Sequence, residues 1–192
     1  MRLVALAVLF FAALACGSAE PGRPQPGVNV ISTAVRDLRE GQVVDSVPCL
    51  RDDLPINHFH VHLVIYLDGE KLTVPAGLGV GRPWGENPPG FIATGRCFAW
   101  IHTHDTTGVM HVFTQVGRSD TLGQVFSVWG QPLSIDGALG FRGRIEVLVN
   151  GQAMDGDPRS IPLKNLSNIV LELGKPPVPA PAALYDFGTM RR

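Results

Sequence analysis

The chain reads as an α+β domain, predominantly β, with an antiparallel or mixed sheet, one short helix and a β-grasp-like order. Three observations predict this. Apolar runs with β-branched and aromatic residues recur between Asp-Gly, Asn-Gly and Gly-containing turns, the pattern of hairpins. One segment, with Leu122, Val125, Phe126 and Trp129, repeats instead at helical spacing. The order of elements is two hairpin-forming strands, a helix, then two more strands, as in a β-grasp with the first hairpin added. A plain β-sandwich is the alternative.

The start of the chain sets the compartment. Met1-Arg2 precedes an apolar run from Leu3 to Ala15, followed by Cys16-Gly17-Ser18-Ala19. A short positive start, an apolar stretch and small residues form a secretory signal peptide. The run is shorter than the roughly 20 residues needed to span a bilayer. Residues 1–15 are therefore expected to be removed on export. Ala13-Leu14-Ala15-Cys16 approaches a bacterial lipobox, in which Cys16 would be lipidated and would tether the protein to a membrane. Leu14 stands one place nearer the cysteine than the usual pattern, and cleavage after Ala19, giving plain secretion, is the other route. Residues 16–27 are a Pro/Gly-rich flexible tether. Residues 28–174 form a single β-rich domain and residues 175–192 a Pro-rich tail.

Within the domain, residues 58–67 (HFHVHLVIYL) are a strand, Asp68-Gly69 is a turn, and residues 71–74 return. Residues 76–95 are too rich in Gly and Pro for regular structure. Residues 96–104 (RCFAWIHTH) are a second strand, residues 105–108 a turn, and residues 109–115 its partner. Asp120-Thr121 caps the helix, and Gly130 and Pro132 end it. Residues 144–149 are a strand, Asn150-Gly151 a turn, and residues 169–173 the last strand.

With 16 Lys and Arg against 17 Asp and Glu and no basic run, the composition argues against a nucleic-acid partner. Beyond Cys16, the two remaining cysteines, Cys49 and Cys97, are expected to pair as a disulfide in an oxidising envelope. Strand parity puts Cys97, Ala99 and Ile101 on one face and Phe98, Trp100, His102 and His104 on the other, so Cys97 does not point toward the histidines.

The histidines carry the chemistry. All six, His58, His60, His62, His102, His104 and His111, fall in the first strand or the second hairpin. Residues two apart on a strand share a face, so His60 joins His62 and His102 joins His104. Phe59, Val61, Leu63 and Ile65 take the opposite face, toward a core. If residues 105–108 form a four-residue loop closed by Gly108, His102 lies across from His111. Crowded imidazoles repel when protonated and need partners when neutral, and a divalent ion removes both difficulties. His60, His62, His102, His104 and His111 are the expected metal ligands. Asp105 is expected to orient one of them through its second ring nitrogen. His58, at the start of its strand, is left to point toward solvent.

Known motifs fit poorly. His102-Thr103-His104-Asp105 departs from the metallo-β-lactamase pattern in the place of its aspartate and the loss of its final histidine. His60-x-His62 with Gly69 and Pro75 lacks the glutamate and later histidine of a cupin. The strings HFHVHLVIYLDGEKLTVPAG, CFAWIHTHDTTGVMHVF and TLGQVFSVWGQPL resemble, in that order, an uncharacterised family of small exported bacterial and archaeal proteins. The resemblance covers roughly residues 47–150 and implies one domain for the three segments. It implies no activity. Met110 stands where the family more usually has Ile, a conservative core exchange.

Three functions follow as alternatives. The first is an envelope metal-binding protein with copper or zinc as its ion, since imidazole suits both and no dense carboxylate cluster invites calcium or magnesium. The second is a metal-dependent envelope enzyme, with Asp105 and Glu86 as its candidate acids or bases; the balance leans away from enzymatic activity. The third is a non-metal interaction module presenting Trp84, Trp100 or Trp129. The sequence names no protein partner.

Overall fold

The computed structural model describes residues 32–51, 57–174 and 184–191. The expected signal peptide, Cys16 and the tether lie outside the described residues. Among the described residues, no helix is long and apolar enough to cross a membrane.

Alternation builds the central strand. In β2 (Asn57–Leu67), Val61, Leu63 and Ile65 are buried on one face, while His58, His60 and His62 occupy the other. β1 (Val47–Leu50) precedes it. Asp68 and Gly69 both take positive φ, 49° and 86°, as a two-residue turn of the hairpin hand requires. β3 (Glu70–Leu72) then returns along the far end of β2.

The next expected strand is divided. β5 (Phe98–Ala99) pairs with β1, whereas β6 (Ile101–Thr103) pairs with β7 (Val109–Thr114). Trp100 is the point of exchange. Its N–H donates to Pro48 O at 3.1 Å, on the β1 side, and its carbonyl accepts from Phe113 N at 2.7 Å, on the β7 side. The disulfide joins Cys49 of β1 to Cys97 just before β5, with Cα atoms 5.4 Å apart, as expected.

The Gly/Pro-rich stretch is more ordered than its composition suggests. β4 (Ile92–Thr94) pairs with a short strand at Gly85–Glu86. The stretch also bonds along the outer side of β6: Gly77 N donates to Thr103 O, Thr103 N to Leu78 O, and Ile92 N to His104 O. Gly79 permits this close approach. Its φ is +76°, and a Cβ there would run into the Ile101 carbonyl.

Helix α1 (Leu122–Trp129) follows. The Thr121 N–H donates to Gln124 Oε1 at 2.8 Å, and Gly130 ends the helix in the left-handed conformation. Leu122, Val125, Phe126 and Trp129 are fully buried, as the spacing predicts.

β8 (Ile145–Val149), β9 (Gln152–Met154) and β10 (Ser167–Leu173) complete the main sheet. Its order is β9-β8-β10-β2-β7-β6, with β3 also on β2. β10 and β2 run parallel at its centre, from Ser167 opposite Val61 to Leu173 opposite Leu67; the other pairings are antiparallel. Among the described residues the fold is thus predominantly β, with one short α-helix and an open mixed sheet. The end of the chain, assigned to the tail from sequence, comes back to this sheet. Tyr185 N donates to Asn168 Oδ1 at 2.8 Å, and Phe187 is buried.

Candidate metal centre

The histidines gather because three adjacent strands present them at one level of one sheet face. In the β2–β7 pairing His60 is opposite His111, and in the β6–β7 pairing His102 is opposite the same His111. The expected register of the second hairpin is therefore observed. Its loop is braced by Asp105, whose Oδ1 accepts from Thr107 N at 2.9 Å and from Thr107 Oγ1. Gly108 closes it with φ +88°. His111, on the middle strand, is flanked by histidines on both sides.

The rings interlock around it. His111 stands edge-on to His60 and to His104, each at a centroid distance of 4.6 Å. It stacks with His58 at 5.1 Å and with His102 at 5.4 Å. Two groups of three can each hold a metal ion: His58, His60 and His111, and His102, His104 and His111. Within each group, one ligating nitrogen per residue lies within 4.8 Å of the others.

Hydrogen bonds settle which nitrogens face inward on the β6 side. His102 Nδ1 is 2.7 Å from Ala99 O, and His104 Nδ1 contacts Ile92 O. A carbonyl only accepts, so each Nδ1 carries the ring proton. In the neutral rings each Nε2 then holds a bare lone pair. These two Nε2 atoms face each other at 3.2 Å. Two lone pairs at that distance repel unless a cation lies between them. Ligands about 2.0–2.1 Å from a tetrahedral zinc are separated by roughly 3.3 Å, close to the distance observed here. Backbone carbonyls that hold the outer nitrogen of a ligand histidine are the usual support for such a site.

Burial keeps His60, His102 and His111 in their ligating form. Burial, opposed by the Ala99 bond and aided by His104 and His58, lowers the His102 pKa to about 3. Burial, then His102, His104, His60 and His58, lowers that of His111 to about 2. Burial first and His58 second also lower that of His60. Neutral imidazole is the form a metal needs. Phenylalanines wall the cluster: Phe91 stacks on His104 at 4.6 Å, Phe113 on His58 at 4.4 Å, and Phe98 meets His102 edge-on at 5.1 Å.

No family model, curated protein or solved structure matches the chain.

Of the five expected ligands, His60, His102, His104 and His111 come together, and His58 joins them. Its ring lies over Phe113, with Nε2 3.0 Å from His111 Nδ1. Its two-residue spacing from His60 already placed it on the correct face. His62 is in neither three-histidine group. It shares the face, but its lateral neighbours are Val109 on β7 and Asn168 on β10. Its Nδ1 meets Asn168 Oδ1 at 3.2 Å, its Nε2 meets Thr107 O at 3.1 Å, and Tyr185 stacks on it at 4.5 Å.

The orienting role expected of Asp105 falls instead to the Ala99 and Ile92 carbonyls, because the Asp105 carboxylate is engaged by Thr107. Glu86 accepts from Gly90 N within its own turn. The tryptophans are built into the fold. Trp129 and Trp100 are buried, and Trp84 donates to Val80 O at 3.0 Å.

Proposed function

We propose that this chain is an exported cell-envelope protein that binds copper or zinc through its histidine cluster, and that Cys16 anchors it by lipid. The facing Nε2 atoms of His102 and His104, each with its Nδ1 on a carbonyl, carry the metal-binding reading. An all-imidazole set suits zinc and copper and disfavours the hard, oxygen-seeking cations. Export is supported by the apolar start and its small residues, and the Cys49–Cys97 disulfide is compatible with an oxidising compartment. The segment resemblance to a family of exported proteins points the same way.

The test is calorimetry with zinc and with copper on untagged protein, comparing wild type with His102→Ala and His104→Ala. Wild type is expected to bind stoichiometrically. Each variant is expected to lose most of its affinity while its circular dichroism shows it folded. Wild-type affinity in both variants would sink the site. Intact mass of the native protein decides the anchor: a lipid on an N-terminal Cys16 is expected, and a start at Glu20 would remove the anchor while keeping export.

A further inference from the structure

We infer that the cluster takes two ions, with His111 as the ligand common to both. This rests on the metal-binding reading above and concerns how that site is divided. Five histidines meet here, more than one zinc or copper ion ordinarily uses. A single ion would leave crowded neutral rings facing one another. Two ions with three histidines each employ all five, provided one ring serves twice.

The sheet marks His111 as that ring. His60 and His102 are its direct neighbours on opposite sides, so their strands stand two strand spacings apart, about 10 Å. One set of ligands rises from β2, the other from β6 and the turn after it. His111 is edge-on to one member of each set, at 82° to His60 and 83° to His104. Its Nδ1 is turned toward the β2 set, 3.0 Å from His58 Nε2. Nε2 is then the nitrogen for the β6 set.

A neutral imidazole has one lone pair for a metal. To ligate through both nitrogens, His111 gives up its remaining N–H proton to solvent as the second ion binds, and becomes an imidazolate. No other bond is made or broken beyond the metal–nitrogen bonds. The two ions differ in setting. The inner one has His102, only 2% exposed, and the outer one has His58, which is exposed. Solvent therefore completes the outer ion's coordination more readily.

Native mass spectrometry of untagged, folded protein titrated with zinc counts the ions, and electron paramagnetic resonance of the copper(II)-loaded protein reads their coupling. Two ions per chain are expected. The His58→Ala/His60→Ala variant is expected to keep one, as is His102→Ala/His104→Ala. Copper(II) ions joined by one imidazolate should show a magnetically coupled, weakened signal in wild type. Either double variant should restore an isolated copper signal. One ion in wild type overturns this inference and leaves the metal-binding reading standing. No ion overturns both. Two ions bound with unchanged affinity by folded His111→Ala overturn the shared ligand. If the inner double variant fails to fold, the outer one, altering an exposed and a half-buried residue, still decides the count.

Discussion

His102 and His104 are held from behind by backbone carbonyls, whereas His58 and His60 are held by other rings. On the β6 side, the outer nitrogen of each imidazole is tied to Ala99 O or Ile92 O, and the inner nitrogen is thereby aimed. On the β2 side, His58 lies flat on Phe113, stands edge-on to His60 at 4.7 Å and has its Nε2 3.0 Å from His111 Nδ1. That last contact joins two ligand nitrogens, so it must give way when an ion binds them. The carbonyl bonds hold the outer nitrogens of His102 and His104 and stay in place on binding. The inner half is thus organised before an ion arrives, while the outer half is adjusted by it. Ligands already in place lose less freedom on binding, so the inner half should hold its ion more tightly.

Replacement of one ligand from each half gives the largest expected contrast. Losing even a supporting partner of a metal ligand typically costs about 10–100-fold in affinity, so His102→Ala should weaken binding by more than about 100-fold, and His58→Ala by a smaller factor. Competition with a chelator of known affinity measures both. Equal losses would show that the carbonyl supports confer no advantage.

The disulfide offers a second contrast, because it anchors the strand that leads into the inner half. Replacing Cys49 and Cys97 together by Ala should destabilise the domain by about 2–4 kcal/mol in urea unfolding. Affinity should fall more at the inner ion than at the outer one, since Cys97 lies just before β5 and β6. A loss shared equally would detach the bridge from the site.

Acid should act on the metal-free protein through the most deeply desolvated rings. His102 and His111 titrate at about 3 and about 2 in the folded state, against about 6.5 when unfolded. Below about 6.5 the unfolded chain therefore takes up protons that the folded chain refuses. Stability should be flat above that pH and should decline as pH falls from it toward the folded values. Urea midpoints measured between pH 5 and 8 check the sign. A midpoint that rises on acidification would contradict it. Replacing His111 with Phe should flatten the slope.

The smallest effect is expected at His62. His62→Ala should leave metal stoichiometry unchanged and destabilise by about 1 kcal/mol, through its lost hydrogen bonds and its lost stack on Tyr185. A missing ion in this variant would return His62 to the ligand set.

The contrast between His58 and His62 also marks how far the sequence can be read. Alternation along β2 assigns both to the histidine face, and the four-residue loop closing on Gly108 sets His102 against His111. Helical spacing and Gly130 delimit α1 in the same local way. Alternation says nothing of which neighbour stands beside each ring. His62 meets Asn168 because β10 docks parallel to β2, a choice made far along the chain. The supports of His104 were illegible for a related reason. They come from residues 91 and 92, in a stretch whose bonds to β6 are made by backbone and leave no side-chain period. The break at Trp100 likewise depends on which strands flank it, β1 on one side and β7 on the other.

The sheet order carries a consequence for how the cluster comes into being. His102 and His111 belong to one hairpin with a four-residue loop, so their encounter closes a short segment of chain. His60 reaches His111 only when β2 and β7 meet across the whole disulfide-bearing region, and β2 is secured from its other side only by β10, near the end of the domain. Short loops close with less entropy loss than long ones, and distant pairings slow folding. As the chain folds, the inner ligands are therefore assembled before the outer ones, and an ion present during folding meets the hairpin first. Pulsed hydrogen exchange during refolding should show protection in residues 101–112 ahead of residues 167–173. The reverse order would mean that the central parallel pair templates the hairpin.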